Sequence, residues 1–404
     1  MTALLKGLRI LELSSYVATP LCGLVLHQLG ADVVRLEPPG GAPDRTRLPL
    51  SETGTSMYWA GLNKGKQAIA VDLRTPDGAA LAADLAVDAG IVVTNGAHRG
   101  PLATEALRER RPDLIHVRLS GTPDGGPAVD YTVQAETGFP LVTGPGSGGT
   151  PVNQVLPAWD IAAGLYLATG LLAAVHRRQQ TGEGATITLA LEDVALSTAG
   201  TLGLLTEAQT RGIDRGPDGN HVYGTYGRDF QLADGRRIML VILTDRHWRS
   251  LLEVTGLTDT IAALQNTLDA DFSLECVRYQ HRALISALLE PWFAARTLPE
   301  VGAALEGTRI LLAVYRTFDQ VAADLADRPL FTELDQPGVG PHLAPAGPLA
   351  VDGSNGPVER APAPGEHTHR VLADLGLTAE EITRLAHAGV IDTGATTRPD
   401  TRSA

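Results

Sequence analysis

Short apolar runs alternate with longer stretches of helical spacing through the first half of the chain. Leu8 to Leu13, Asp32 to Glu37, Ala68 to Leu73, Ile91 to Thr94 and Leu114 to Leu119 read as buried strands. Between them, a segment from about Pro20 to Leu29 and another from Pro76 carry the spacing of helices. Strand, helix, strand in this rhythm predicts parallel βαβ units with helices on both faces, an α/β fold with a doubly wound sheet. A long apolar helix then follows Asp160, over Ile161 to Val175, with a strand near Thr186 to Leu189 and a helix from Glu192 to about Thr210.

The pattern changes at Tyr223. A-D-G between two alternating runs reads as an antiparallel hairpin, and Trp248 to Leu257 and Tyr279 to Phe293 read as amphipathic helices. The expected organisation is therefore a large domain beginning with residues 1–222 and a smaller α+β domain over 223–327. Prolines at 337, 341, 345, 348, 357, 362 and 364 punctuate the following stretch, which is expected to carry residues 328–392 back to the large domain. It closes on a capped helix pair, G-E-H-T-H-R-V-L-A-D-L-G-L-T-A-E-E-I-T-R-L. Residues 393–404, rich in Thr, Asp, Arg and Ser, are expected to be a disordered tail.

Composition narrows the function. At 404 residues, with 44% apolar and 20% charged positions, the chain has material for two cores. A net charge of −13 with both signs interspersed argues against a broad basic face, hence against nucleic acid as a partner. An anionic ligand must then meet a local cluster of Arg and Lys. Cys22 and Cys276 have no metal-binding or disulfide spacing, which suits a reducing cytoplasm, and no metal is expected. The N-terminus has no signal-peptide pattern and no run is long and apolar enough for a membrane span, so a soluble, unprocessed protein is expected.

Asp160 stands in V-L-P-A-W-D at the mouth of the long helix, followed by Q-T-G-E-G at its far end. An aspartate there is a helix cap or a nucleophile, and taken alone it is more often a cap. The first strand runs into L-E-L-S-S-Y-V-A-T-P without a G-x-G-x-x-G fingerprint, so no dinucleotide motif is present. P-P-G-G-A-P-D-R-T-R places Arg45 and Arg47 on a loop, and L-N-K-G-K-Q-A-I-A-V-D-L-R places Lys64, Lys66 and Arg74 around the third strand. Such pairs hold phosphate oxygens or are simply solvated. Asp130 and Tyr131 could be a turn acid and a packed aromatic. His221, Tyr223, Tyr226 and Arg228 in G-N-H-V-Y-G-T-Y-G-R-D-F form a dense polar and aromatic group for which a hairpin edge is an equal reading.

Read together, G-L-R-I-L-E-L, L-G-A-D-V-V-R-L-E-P-P-G-G, L-N-K-G-K-Q-A-I-A-V-D-L, the Asp160 helix with Q-T-G-E-G, and G-E-H-T-H-R-V-L-A-D-L-G-L resemble the family III CoA-transferases over nearly the whole chain. The resemblance implies a Rossmann-like large domain built from both chain ends, a small domain, and two subunits interlocked as a homodimer. It implies Asp160 as the nucleophile and an acyl-CoA thioester as the substrate, with CoA part of that substrate and no separate cofactor. CoA is expected against Tyr16, Val17, Arg45, Arg47, Val71, Arg74, Asn95, Asp130 and Tyr131. The acyl group is expected against His221, Tyr223, Gly224, Gly227 and Arg228, with Gly224 and Gly227 in a loop offering backbone N–H groups and His221 or Arg228 pairing a second carboxylate. W-A-G-L-N-K-G-K, V-D-Y-T-V, L-P-A-W-D, Gly219 to Phe230 and L-L-E-P-W-F resemble members that move CoA between the two carboxylates of one mesaconate molecule.

Two departures matter. Racemases of the superfamily use a His-Asp pair whose histidine falls on Val129, and valine moves no proton. The frequent arginine after the second strand is replaced by Pro38 and Pro39, so phosphate contacts fall to Arg45, Arg47 or Arg74. The chemistry expected is attack by an ordinary ionised Asp160, of pKa about 3.9, on the thioester carbonyl, giving a mixed anhydride and then an aspartyl-CoA thioester. Intermolecular transfer to a second acid is the alternative, and α-methylacyl-CoA racemisation a remote one.

Overall fold

The computed structural model describes residues 3–145, 150–213 and 215–394. Beyond Gly394 the expected tail lies outside the described residues. In chain order the elements are β1 (Arg9–Leu13), α1 (Ala18–Gln28), β2 (Asp32–Glu37), α2 (Met57–Leu62), β3 (Gln67–Val71), α3 (Pro76–Ala89), β4 (Ile91–Thr94), α4 (Thr104–Arg110), β5 (Ile115–Ser120), α5 (Asp130–Glu136), α6 (Phe139–Val142), α7 (Ala158–Thr181), β6 (Ala185–Ala190), α8 (Leu191–Thr201) and α9 (Leu204–Arg211). Then come β7 (Tyr226–Gln231), β8 (Arg237–Ile242), α10 (Asp245–Thr255), α11 (Thr258–Leu268), α12 (Glu275–Gln280), α13 (Arg282–Ala294), α14 (Leu298–Leu305), β9 (Leu311–Val314) and α15 (Phe318–Ala322). The chain closes with β10 (Phe331–Gln336), β11 (Gly340–Pro345), β12 (Ala350–Val351), β13 (Ser354–Asn355), α16 (Thr368–Asp374), α17 (Ala379–His387) and β14 (Ile391–Asp392).

The chain separates into two compact units. One comprises Met1–Thr137, Val155–Glu207 and Leu325–Ala404, the other Gly138–Gln154 and Ala208–Asp324. The second unit thus starts before Tyr223 and takes in a segment preceding α7. Backbone bonds show why. Val152 N–H bonds to Pro140 O, closing that segment on itself, and Gly219 N–H bonds to Gly144 O, tying it to the chain before β7.

In the first unit, strands run in the order β14-β3-β2-β1-β4-β5-β6, all neighbours parallel except β14 on β3. The inner strands are largely apolar because helices cover both faces, with Glu12, Arg35 and Glu37 as buried charged exceptions on β1 and β2. One face packs on α3, α16 and α17 through Val34, Ile69, Leu81, Leu85, Val371, Leu372, Ile382 and Leu385. The proline-punctuated segment therefore does return to the large unit, and adds a strand to its sheet. On α3, Thr75 Oγ1 accepts from Gly78 N–H at the start and Gly90, with φ 69°, ends the helix.

Helix α7 is long and apolar enough to cross a membrane by length and composition. Here it packs on α1, α8, β5 and β6. Gly164 makes the close approach to α1: a Cβ there would sit 2.6 Å from Ala18 O. The helix expected over Glu192 to Thr210 is two, because Gly203 adopts φ 80° between α8 and α9. The second unit holds the A-D-G hairpin as antiparallel β7 and β8, extended by β9, on a core of Phe230, Trp248, Phe272, Leu289 and Phe293.

Candidate active site

The strand order reverses chain direction between β1 and β4, and in such sheets the crevice at the strands' carboxyl ends receives ligands. A cavity of about 400 Å³ opens there. Tyr16 and Val17 line it from the turn after β1, Asn95 after β4, Ser120 and Gly121 after β5, Asp130 and Tyr131 from α5, and Asp160 from α7, with Arg47 and Tyr58 completing the wall. Tyr16 sits at φ 68°, a conformation that costs a side-chain-bearing residue energy. It is held by its own N–H donating to Asp44 Oδ2 at 2.9 Å. Asn95 Nδ2 donates to Ser15 O at 2.9 Å and fixes the same turn.

Asp160 lies in the first turn of α7 and does not cap it. The Trp159 and Asp160 N–H groups donate to Asp130 Oδ2, at 2.7 and 3.1 Å. Among the described residues the Asp160 carboxylate has no hydrogen bond or ion pair. Burial first, then the Asp130 charge, push its pKa up to about 7, and Arg47 opposes them. That corrects the expectation of an ordinary ionised carboxylate: at neutral pH the group is divided between its two forms.

Arg45 and Arg47, two positions apart, have different surroundings. Arg47 is exposed, with Tyr16 and Tyr58 rings 5.7 and 5.1 Å from its guanidinium carbon, and has no ion pair among the described residues. Arg45 lies 3.5 Å from the centre of the Trp59 ring, bonds Glu37 at 2.6 Å and reaches Pro362 O. Arg74 is exposed and paired to Asp72, and Val71 is buried beside β14, so neither lines the cavity. Lys64 and Lys66 do not form the expected phosphate cluster. Lys64 Nζ donates to Pro345 O, and Lys66 is wholly buried on Glu12, Asn63 and Pro20 O. Burial lowers the Lys66 pKa to about 8. With Arg35 bonded to Glu12, Glu37, Asn63 and Asp44, these residues form a closed network under the Tyr16 turn.

Sequence reasoning missed Tyr58. Its hydroxyl is buried without a hydrogen-bond partner among the described residues, and burial pushes its pKa to about 12. Its signal was its place in S-M-Y-W-A-G-L, directly before the motif that begins at Trp59. Val129, 60% exposed, forms part of the cavity wall with no proton to give.

His221, Tyr223, Gly224, Gly227 and Arg228 all belong to the second unit. His221 and Arg228 line a cavity of about 600 Å³ there with Asp218, Asp229 and Arg237. Arg228 is already bonded to Glu290 at 2.9 Å. Gly224, at φ 80°, turns the chain between Val222 and Gly227, whose N–H and C=O bond at 2.9 Å. Gly227 is required by packing, since a Cβ would meet Val222 and Leu240 O at about 3 Å.

Residues 5–368 match CoA-transferase family III. The chain is 45% identical to a 2-methylfumaryl-CoA isomerase of Chloroflexus aurantiacus, covering 97% of this chain and 98% of the relative. It is 30% identical to a succinyl-CoA:mesaconate CoA-transferase of Haloarcula hispanica, over 92% and 96% of the two. Among solved structures, a CAIB/BAIF family protein from Brucella suis superposes with a TM-score of 0.74 at 25% identity, covering 92% of this chain and 98% of that one.

Proposed function

The chain belongs to CoA-transferase family III, and from that premise we propose that it moves CoA between the C1 and C4 carboxylates of a single mesaconate, as a 2-methylfumaryl-CoA isomerase. Similarity at 45% identity over 97% of the chain supports this substrate. The observation that carries the chemistry is Asp160, a half-buried carboxylate with no partner among the described residues, in a cavity whose wall includes Arg47.

Asp160 attacks the C1 thioester carbonyl, forming a C–O bond as the C–S bond breaks, and CoA leaves as a thiolate. The thiolate attacks the Asp160 carbonyl of the resulting anhydride, giving an aspartyl-CoA thioester and free mesaconate. Retained mesaconate then attacks through its C4 carboxylate and expels the thiolate, which takes the C4 acyl group and frees Asp160. No proton, electron or external acid is consumed. Reactant and product are both thioesters of one acid, so the protein's contribution is positioning and charge placement. Arg47 is placed to hold a carboxylate or phosphate by paired hydrogen bonds.

The test is to incubate the protein with the C1 ester alone and separate the CoA esters by chromatography. Appearance of the C4 ester, lost in Asp160→Ala, is expected. Turnover only after a second acid is added would make the enzyme an intermolecular transferase.

The active form is a homodimer, interlocked as the family resemblance implies. Leu165 and Tyr166 of α7, 48% and 56% exposed, and Leu196 and Leu202 at and after α8 offer apolar surface that fits a second copy. Light scattering should give twice the chain mass of 42.5 kDa; a monomer over the working concentration range would oppose this.

A further inference from the structure

We propose that Asp130 is a positioning residue for the reaction, clamping the first turn of α7 so that the Asp160 carboxylate stays unbound and turned to the cavity. The proposal rests on Asp160 being the attacking group.

The first N–H groups of any helix lack partners inside it, and an acidic side chain in the first turn ordinarily supplies one. An acid at the third helical position, where Asp160 stands, reaches back to the N–H of the capping residue. In this chain that residue is Pro157, which has no N–H. The remaining donors are all satisfied elsewhere. Ala158 N–H bonds to Leu156 O at 2.8 Å and Ile161 N–H to Pro157 O at 3.1 Å. Trp159 and Asp160 N–H both go to Asp130 Oδ2. No local bond therefore draws the Asp160 carboxylate back onto its own helix.

Asp130 is suited to the clamp. It is 1% exposed, and its other oxygen accepts from the Gln134 amide one turn along α5. Its charge also faces Asp160 and favours the protonated form there, which Arg47 counters. The other titratable groups on the cavity wall are Tyr16, Tyr58 and Tyr131. Of the elements packed on α7, α5 carries Glu136 besides Asp130 and Tyr131, α8 carries Glu192 and Asp193 in its first turn, α1 carries Cys22 and His27, β5 carries His116 and Arg118, and β6 carries none. Beside burial, the Asp130 charge raises the Asp160 pKa and Arg47 lowers it.

Two variants separate the parts. Asp130→Asn keeps an oxygen for the two N–H groups and removes the charge, whereas Asp130→Ala removes both. Steady-state kinetics on the CoA ester are measured between about pH 5 and 9. Asp130→Ala should lower kcat by about 100-fold with little change in KM, as expected for a misplaced reacting group. Asp130→Asn should keep most of kcat while its acid limb moves down by on the order of one pH unit. A rise in KM alone in Asp130→Ala would instead make Asp130 a CoA contact and overturn the proposal. So would wild-type kcat in that variant. If Asp130→Ala does not fold, a fall in kcat of about 100-fold in Asp130→Asn overturns it, because the acceptor for the two N–H groups is still present there. Full activity in Asp160→Asn would sink the nucleophile itself; an inactive Asp160→Asn beside wild-type Asp130 variants would sink only this inference.

Discussion

The Asp160 carboxyl group couples activity to stability. Its pKa rises from an ordinary aspartate value of 3.8 to about 7 in the fold, so the folded state binds the proton more tightly than the unfolded chain. That stabilising contribution is full below about pH 4 and is lost as the pH rises through 7. Asp160→Asn, which carries no charge, should therefore raise unfolding free energy by on the order of 2–4 kcal/mol at alkaline pH and hardly at all in acid. Denaturant titration at both pH values checks this; an equal gain at both would contradict the burial of charge. Arg47→Ala should raise KM for the CoA ester by roughly 10-fold or more, read by steady-state kinetics, since a charge-assisted bond is lost. Arg45→Ala should instead cost stability, because Arg45 is tied to Glu37 and Trp59. The sequence placed these arginines side by side, and only the turn at Pro43–Thr46 sends them different ways. The helix mouth drew notice to Asp160, but taken alone it read as a cap, and its expected role as nucleophile came from the family resemblance. The clamp by Asp130 was not legible, because it joins positions thirty apart through a backbone contact.

At the scale of elements, part of what read as a basic cluster proved to be internal: Lys64 and Lys66 are buried. Arg35 on β2 lies in register with Glu12 on β1, and Lys66 precedes β3. All three are buried. Removing one partner strands a buried charge, so Glu12→Gln should cost about 3–5 kcal/mol by denaturant titration. A cost below about 1 kcal/mol would mean the network is solvated. Periodicity located the strands and long helices well, since alternation and burial follow from a sheet covered on both faces. It missed the break at Gly203, where a left-handed backbone outweighs continuous helical spacing. Gly164 tests the α1–α7 approach. Gly→Ala gains about 1 kcal/mol of helix propensity, yet overpacking against a carbonyl costs about 1–3 kcal/mol, so Gly164→Ala should lower the melting temperature.

At the scale of the whole molecule, the chain ends meet in one unit. The return of residues after Leu325 was legible from its prolines and closing helices, because α16, α17 and β14 complete a core begun by β3 and α3. The assignment of 138–154 to the second unit was not, since it depends on a backbone bond to Gly219. The proposed chemistry turns on the unpartnered Asp160 carboxyl group, and its aspartyl-CoA intermediate can be looked for directly. The decisive measurement is mass spectrometry of the protein quenched in acid during turnover of the C1 ester, followed by peptide mapping. A CoA thioester on Asp160, absent from Asp160→Asn, is expected; an active enzyme that carries no adduct, or carries it on another residue, would contradict Asp160 as the nucleophile.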